Sequence, residues 1–364
     1  LNTRPSSAVE EIVARGYYSH ADVVRLLDER EPAAVECLRS AAAEVLRRDI
    51  GSGVSFRGLV EFSNVCACDC LYCGIRAANG DVVRYTMTRD EILEAARLCS
   101  DAGYGSMVLQ SGERRDAAFV DFVEDVVREI KRTTRSPVLP EGLGITLSLG
   151  EQTPATYRRL FDAGAHRYLL RIETSNRELF ARLHPAAQSF AARVECLRAL
   201  RETGYQVGTG VMIGLPGQTA SMLADDVEFF RSMDVDMIGM GPYLVHDQTP
   251  LAGGRAPAEA FMQTLLMIAV CRLALRGVNI AATTALQAAE PQGRERGLEF
   301  GANVVMPNLT PRRYRNQYRL YEGKPCMDES PDECRACLSG RIIGIGRTVL
   351  RNAWGDAPRA AGRR

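Results

Sequence analysis

Phe62-Ser63-Asn64-Val65-Cys66-Ala67-Cys68-Asp69-Cys70-Leu71-Tyr72-Cys73-Gly74 is the densest run of cysteine in the chain. It follows Phe56 to Phe62, a short apolar run of β character that reads as the first strand. Cys66, Cys70 and Cys73 have CX3CX2C spacing. Three thiolates on one loop can hold three irons of a [4Fe–4S] cube and leave the fourth iron without a protein ligand. An open iron can chelate a small molecule. Two other readings stay open on spacing alone. Cys68 could be the fourth ligand of a structural zinc, or all four could be buried thiols.

Outward from this loop, short strands alternate with amphipathic helices. The pattern predicts strands near 55–62, 106–110, 144–148, 166–173, 207–213, 236–241, 278–284 and 302–306. Helices are expected between them, near 89–103, 117–133, 153–164, 189–204, 219–233, 257–276 and 292–299. Thr88, Thr153 and Thr219 stand where N-caps belong. Each connection is a crossover, so neighbouring strands pair in parallel. Eight units imply an α/β fold, a closed (β/α)8 TIM-type barrel. A six-unit partial barrel with appended strands is the alternative. Residues 1–50 read as an N-terminal helical extension, 51–310 as the barrel and 311–364 as a C-terminal segment. That segment holds Cys326, Cys334 and Cys337 in CX7CX2C spacing, and its tail beyond Trp354 is expected to be flexible.

The 364 residues leave room for one barrel of about 250 residues with extensions. Hydrophobic residues at 46% and charged residues at 25% exclude a disordered or fibrous chain. Lys+Arg and Asp+Glu both number 45, so no basic excess argues for nucleic acid. No apolar run reaches the ~18 residues of a membrane helix. Residues 1–16 lack an apolar signal core, so a cytoplasmic protein is expected. Its 11 cysteines then read as metal ligands or reduced thiols rather than disulfides.

Barrel chemistry sits at the C-terminal ends of the strands. The second strand ends in Gln110-Ser111-Gly112-Glu113, otherwise readable as a plain turn. In the fourth, alternation puts Arg167, Leu169, Arg171 and Glu173 on one face. Such charges inside a barrel need ligands or one another, so a structural ion-pair layer competes with cofactor and substrate contacts. Arg193, on the following helix, could fork onto a carboxylate or lie on the surface. Thr146, Ser148, Thr283, Thr284, Met306, Asn308, Tyr314, Tyr318 and Tyr321 are further lining candidates.

The cysteine spacing, with Tyr72 before the third cysteine, resembles the radical S-adenosylmethionine (SAM) superfamily. The resemblance implies a [4Fe–4S] cluster on Cys66, Cys70 and Cys73 and SAM on the open iron. Reductive cleavage would then give a 5′-deoxyadenosyl radical. It also implies a ring at Tyr72 beside the adenine, and backbone contacts to the methionine part from Ser111, Gly112 and Glu113. Ser111 replaces the first glycine of the family's Gly-Gly-Glu. Gly214-Leu215-Pro216-Gly217-Gln218-Thr219 resembles the family's adenine-bordering segment after strand five.

Within the superfamily, 56–337 is most similar to the [FeFe]-hydrogenase maturase family HydE. Glu61-Phe62-Ser63-Asn64-Val65-Cys66, Arg84-Tyr85-Thr86-Met87-Thr88, Leu147-Ser148-Leu149-Gly150-Glu151, Arg167-Tyr168-Leu169-Leu170-Arg171 and Gly301-Ala302-Asn303-Val304-Val305-Met306-Pro307-Asn308 carry that likeness with the C-terminal triad. It implies a sulfur-containing substrate, a cysteine-ligated iron complex, on the way to the H-cluster. Thr146, Arg171, Thr283 and Thr284 would hold substrate, with Arg171 also counted as catalytic. Glu173, Arg193 and Tyr318 would position SAM. Cys326, Cys334 and Cys337 would hold a second, dispensable Fe–S cluster. HydG and HydF would be partner maturases, and ferredoxin or flavodoxin the reductant. Three rivals remain. Biotin synthase needs cysteines inside the barrel, and strands three and five here have none. A methylornithine synthase could use Arg171 as an amino-acid clamp. An Fe–S electron carrier would not need a polar barrel lining.

Overall fold

The computed structural model describes residues 8–253, 259–329 and 331–361; the side chains of Pro331, Asp332 and Cys334 lie outside that description. Three helices open the chain: α1 (Ala8–Arg15), α2 (His20–Leu27) and α3 (Pro32–Asp49). The barrel follows as β1 (Gly53–Ser63), α4 (Arg89–Asp101), β2 (Ser106–Ser111), α5 (Ala117–Thr133), β3 (Gly144–Ser148), α6 (Pro154–Asp162) and β4 (Ala165–Leu169). It continues as α7 (Arg177–Leu183), α8 (Phe190–Thr203), β5 (Gln206–Ile213), α9 (Ala220–Ser232), β6 (Met237–Pro242), α10 (Ala260–Leu275) and β7 (Asn279–Ala282). Then come α11 (Thr284–Ala289), α12 (Gly293–Glu299), β8 (Val304–Val305) and α13 (Arg312–Arg315). Last are α14 (Pro331–Gly344), β9 (Thr348–Leu350) and α15 (Pro358–Ala361).

All strand pairs are parallel. They run from β1 through β8 in order, and β8 returns to β1, so the eight strands close. The expected (β/α)8 architecture is therefore present. Local chemistry sets the helix starts. Thr88 and Glu91 form a capping box on α4, Thr153 caps α6 ahead of Pro154, and Thr219 caps α9. The N-terminal helices cover one side of the barrel, α2 against α9 and α3 against α10. Helix α10 is thus enclosed by strands on one side and helices on the other. That explains why it is apolar nearly all round.

Two expectations are corrected. Strand four stops at Leu169 rather than running to residue 173. The Thr209 hydroxyl accepts the Ile172 N–H, and Glu173 rejoins β5 with φ of 65°. The inserted side-chain bond and the left-handed residue break the ladder that alternation alone would continue. Up to Ala361, the last described residue, the tail is not free either; residues 362–364 lie outside the described residues. Strand β9 pairs with β1, Trp354 Nε1 donates to the Gly142 carbonyl, and Asp356 reaches Arg167. Arg167 sits beneath the barrel with no exposed surface, so a carboxylate brought back by the tail is needed to balance it.

Candidate active site

The cysteine loop leaves β1 at Ser63 and is tied down from outside. Asn64 donates its amide to the carbonyls of Val83 and Gln317 and accepts from Tyr85 N. Arg84 donates to the carbonyls of Asn64, Ile75, Arg76 and Asn79 at 2.6–3.2 Å, gathering both ends of the loop. Asp69 accepts from Ala78 N and Arg76 Nη2. At the tip of β2, a Cβ on Gly112 would lie 2.5 Å from Val65 O and 2.7 Å from Cys66 Cβ. Only glycine lets the second strand end against the cysteine loop.

The four thiols are not equivalent. Cys66 Sγ accepts the N–H groups of Cys68 and Glu113 at 3.4 and 3.3 Å. The Cys68 thiol bonds to it as well, and together these lower the Cys66 pKa to about 6. The same bond raises Cys68, which is the proton donor of the pair. Burial pushes Cys70 up to about 12 and raises Cys73. Cys70 Sγ donates to Gln188 Oε1 at 3.3 Å. Tyr72 meets His184 edge-on, its hydroxyl 3.3 Å from Nε2.

Beside Cys66 lies a polar chain spanning three strand ends. Glu113 accepts from Arg115 and from Glu151 N; Glu151 accepts from Arg115 and from Arg193 Nε at 2.6 Å. Arg193 also donates to the Arg171 carbonyl at 2.6 Å. It is buried, not a surface arginine, and its neighbours hold the guanidinium charged. Ser111 turns its hydroxyl onto the Gly112 carbonyl.

Deeper in the mouth, Arg171 and Glu173 meet each other. Nε lies 2.9 and 3.0 Å from the two carboxylate oxygens and Nη2 lies 2.8 Å from Oε2. Nη1 and Nη2 also donate to the carbonyls of Gly239 and Val211, which leaves one Nη1 N–H over. Glu173 stands at positive φ, and its carboxylate faces the guanidinium. Thr283 donates to Met240 O, and Thr284 follows it at the start of α11. The Tyr318 hydroxyl accepts from Gln110 Nε2 at 3.2 Å. Thr146 is not with this group. Its hydroxyl accepts from Arg167 Nε at 2.9 Å, lower in the barrel. Arg167 itself serves Asp356, Trp354 O and Ser106, so its expected role as a ligand contact is corrected to a structural one.

Sequence reasoning missed Lys324 and the part played by Glu61. Lys324 Nζ enters the mouth, 2.5 Å from Glu61 Oε1 and 2.9 Å from Tyr318 O. Glu61 faces inward by the strand alternation that also turns Arg57 in, a signal present in the sequence; its partner 263 residues away was not. Of the C-terminal triad, Cys326 stands at φ of 62° before α14, and Cys337 is exposed on α14. The Cys334 side chain lies outside the described residues.

The loop fits a [4Fe–4S] cluster. It offers three thiols in CX3CX2C spacing and backbone N–H groups on one sulfur. Comparison with known proteins agrees. A family model of the radical SAM superfamily matches residues 60–230. The chain is 45% identical over 325 residues to the [FeFe] hydrogenase maturase subunit HydE of Thermotoga maritima, covering 89% of each. It is 28% identical to the 3-methylornithine synthase of Methanosarcina acetivorans, covering 81% of each. The crystal structure of methylornithine synthase (PylB) superimposes with a TM-score of 0.79 at 26% identity, covering 95% of this chain and 98% of that one. The superfamily's cofactors are a [4Fe–4S] cluster and SAM. The chain belongs to the radical SAM superfamily, in the family of the [FeFe] hydrogenase maturase subunit HydE.

Proposed function

We propose that this chain is a HydE-type maturase acting on a sulfur-containing, cysteine-ligated iron complex during H-cluster assembly. When bound, the cluster and SAM supply a 5′-deoxyadenosyl radical. Cys66, Cys70 and Cys73 hold the cluster. Arg193, kept charged and aligned by Glu151, takes the SAM carboxylate, while Glu113 and the Ser111–Gly112 backbone take the amino group. Tyr72, braced by His184, lies along the adenine. Tyr318 borders the cofactor, and Glu173 orients Arg171 between cofactor and substrate. Thr283, Thr284 and Arg171 line the substrate side, with Thr146 below them. The observation that carries this reading is the Glu113–Glu151–Arg193 chain beside the cysteine loop. It presents both signs of charge to a zwitterionic amino acid.

Cys326, Cys334 and Cys337 hold a second, non-essential cluster. HydG and HydF are the partners, and ferredoxin or flavodoxin the electron donor. The setting is a reducing, cytoplasmic one, in which cysteines persist as thiols and metal ligands. In a maturation assay with HydG, HydF and apo-hydrogenase, the anaerobically reconstituted protein should restore hydrogenase activity. The triple Cys→Ala variant of the triad should do the same with less bound iron. Conversion of lysine to 3-methylornithine, without maturation, would replace this reading by the mutase.

A further inference from the structure

Lys324 and Glu61 form an ion pair in the mouth, their side chains 6% and 2% exposed, and the proposed function gives them no task. A buried ion pair adds little stability over an apolar pair of similar volume. This one holds a third residue. Lys324 Nζ also donates to the Tyr318 carbonyl at 2.9 Å and stands 5.3 Å from the centroid of the Tyr318 ring. The Glu61 carboxylate depends on Lys324 in turn, because its Oε2 has no hydrogen-bond partner. The far end of Tyr318 is fixed from the next strand. Glu61 on β1 is paired with Gln110 on β2, so the two side chains leave on the same face. Gln110 Nε2 donates to the Tyr318 hydroxyl. Two adjacent inward positions thus grip Tyr318 at its carbonyl, its ring and its hydroxyl.

The chain on either side of Tyr318 is bonded to the cysteine loop. Asn64 Nδ2 donates to the Gln317 carbonyl, and Gly74 N donates to the Leu320 carbonyl. Tyr318 therefore bridges the cysteine loop and the end of β2, where Ser111 and Gly112 follow Gln110. We propose that Lys324 is a positioning residue for SAM, acting through Tyr318, with Glu61 as its anchor. This inference rests on the proposed function, in which Tyr318 borders the cofactor. The lysine reaches back six residues along its own segment and fixes where the ring and hydroxyl stand.

The test is a mutant cycle on SAM affinity, read by calorimetric titration into the anaerobically reconstituted protein. Glu61→Leu/Lys324→Met replaces the ion pair by an apolar one, which should leave the thermal midpoint and the iron content near wild type. SAM binding should nevertheless weaken about tenfold, as for residues in contact. Tyr318→Leu should weaken it by a similar factor. The triple variant should bind SAM no more weakly than Tyr318→Leu alone, because the pair acts through the tyrosine. Wild-type affinity in the paired variant would overturn the proposal, as would losses that multiply in the triple variant. Unchanged affinity in Tyr318→Leu would overturn it too, by removing the route. Unfolding or loss of the cluster in the paired variant would assign the pair to structure and likewise overturn it. Failure of the proposed function reads differently: wild-type protein would then bind SAM yet restore no hydrogenase activity with HydG and HydF.

Discussion

Arg193 Nε stands 2.6 Å from Glu151 Oε1, and both side chains are less than one-tenth exposed. The pair joins helix α8 to the loop after β3. Removing one partner would leave the other buried and charged. Arg193→Met should weaken SAM binding at least tenfold, about 1.4 kcal/mol, as expected for a charge-assisted contact. Arg171→Met should leave SAM affinity near wild type while product formation falls. Calorimetric titration of SAM into both variants separates them; equal weakening would return Arg171 to a role shared with the cofactor.

Cys68 lies between the proposed cluster ligands but outside the CX3CX2C set. Iron content and EPR of reconstituted single variants should show loss of the SAM-responsive cluster in Cys66→Ala, Cys70→Ala and Cys73→Ala. Cys68→Ala should retain it. Retention in Cys66→Ala with loss in Cys68→Ala would shift the ligand set by two residues.

Asp356 Oδ1 lies 2.7 Å from Arg167 Nη1 and 3.0 Å from His166 Nε2. Asp356→Ala should destabilise the protein by about 3 kcal/mol, the scale for leaving a buried charge without its partner. Urea unfolding followed by circular dichroism measures it. An unchanged midpoint would mean that Thr146, Ser106 and Trp354 O suffice for Arg167.

Asp226, buried on α9, accepts from Ser175 N at 2.6 Å, while its Oδ2 has no partner. Burial raises its pKa to about 7. The folded protein therefore keeps a proton that the unfolded chain gives up near pH 4. That contribution to stability is complete below about pH 4 and is lost as pH rises to about 7. Asp226→Asn should match wild type at pH 4 and exceed it at pH 8 by on the order of 4 kcal/mol. Parallel stability curves for the two proteins across this range would contradict the raised pKa.

The barrel and the cysteine loop were legible because both are local. Strand and helix periods repeat within a few residues, and Cys66, Cys70 and Cys73 lie on one turn of chain. Strand four shows the limit. Arg171 and Glu173 keep the alternation on paper, but a hydroxyl from Thr209 and a left-handed Glu173 set their geometry. The pairs Glu61–Lys324 and Arg167–Asp356 join residues 263 and 189 positions apart. No spacing rule reaches that far. Arg84 has no local pattern to mark its task, which is set by the carbonyls of Asn64, Ile75, Arg76 and Asn79 around it.

The return of β9 and Asp356 to the first half of the chain has a consequence for biosynthesis. A ribosome makes Arg167 long before Asp356, with four barrel strands still to come. Until Asp356 emerges, the Arg167 guanidinium lacks its carboxylate, and the β9 edge along β1 is unfilled. A nascent chain stalled before residue 348 should therefore present an almost complete barrel that chaperones and proteases still treat as unfinished.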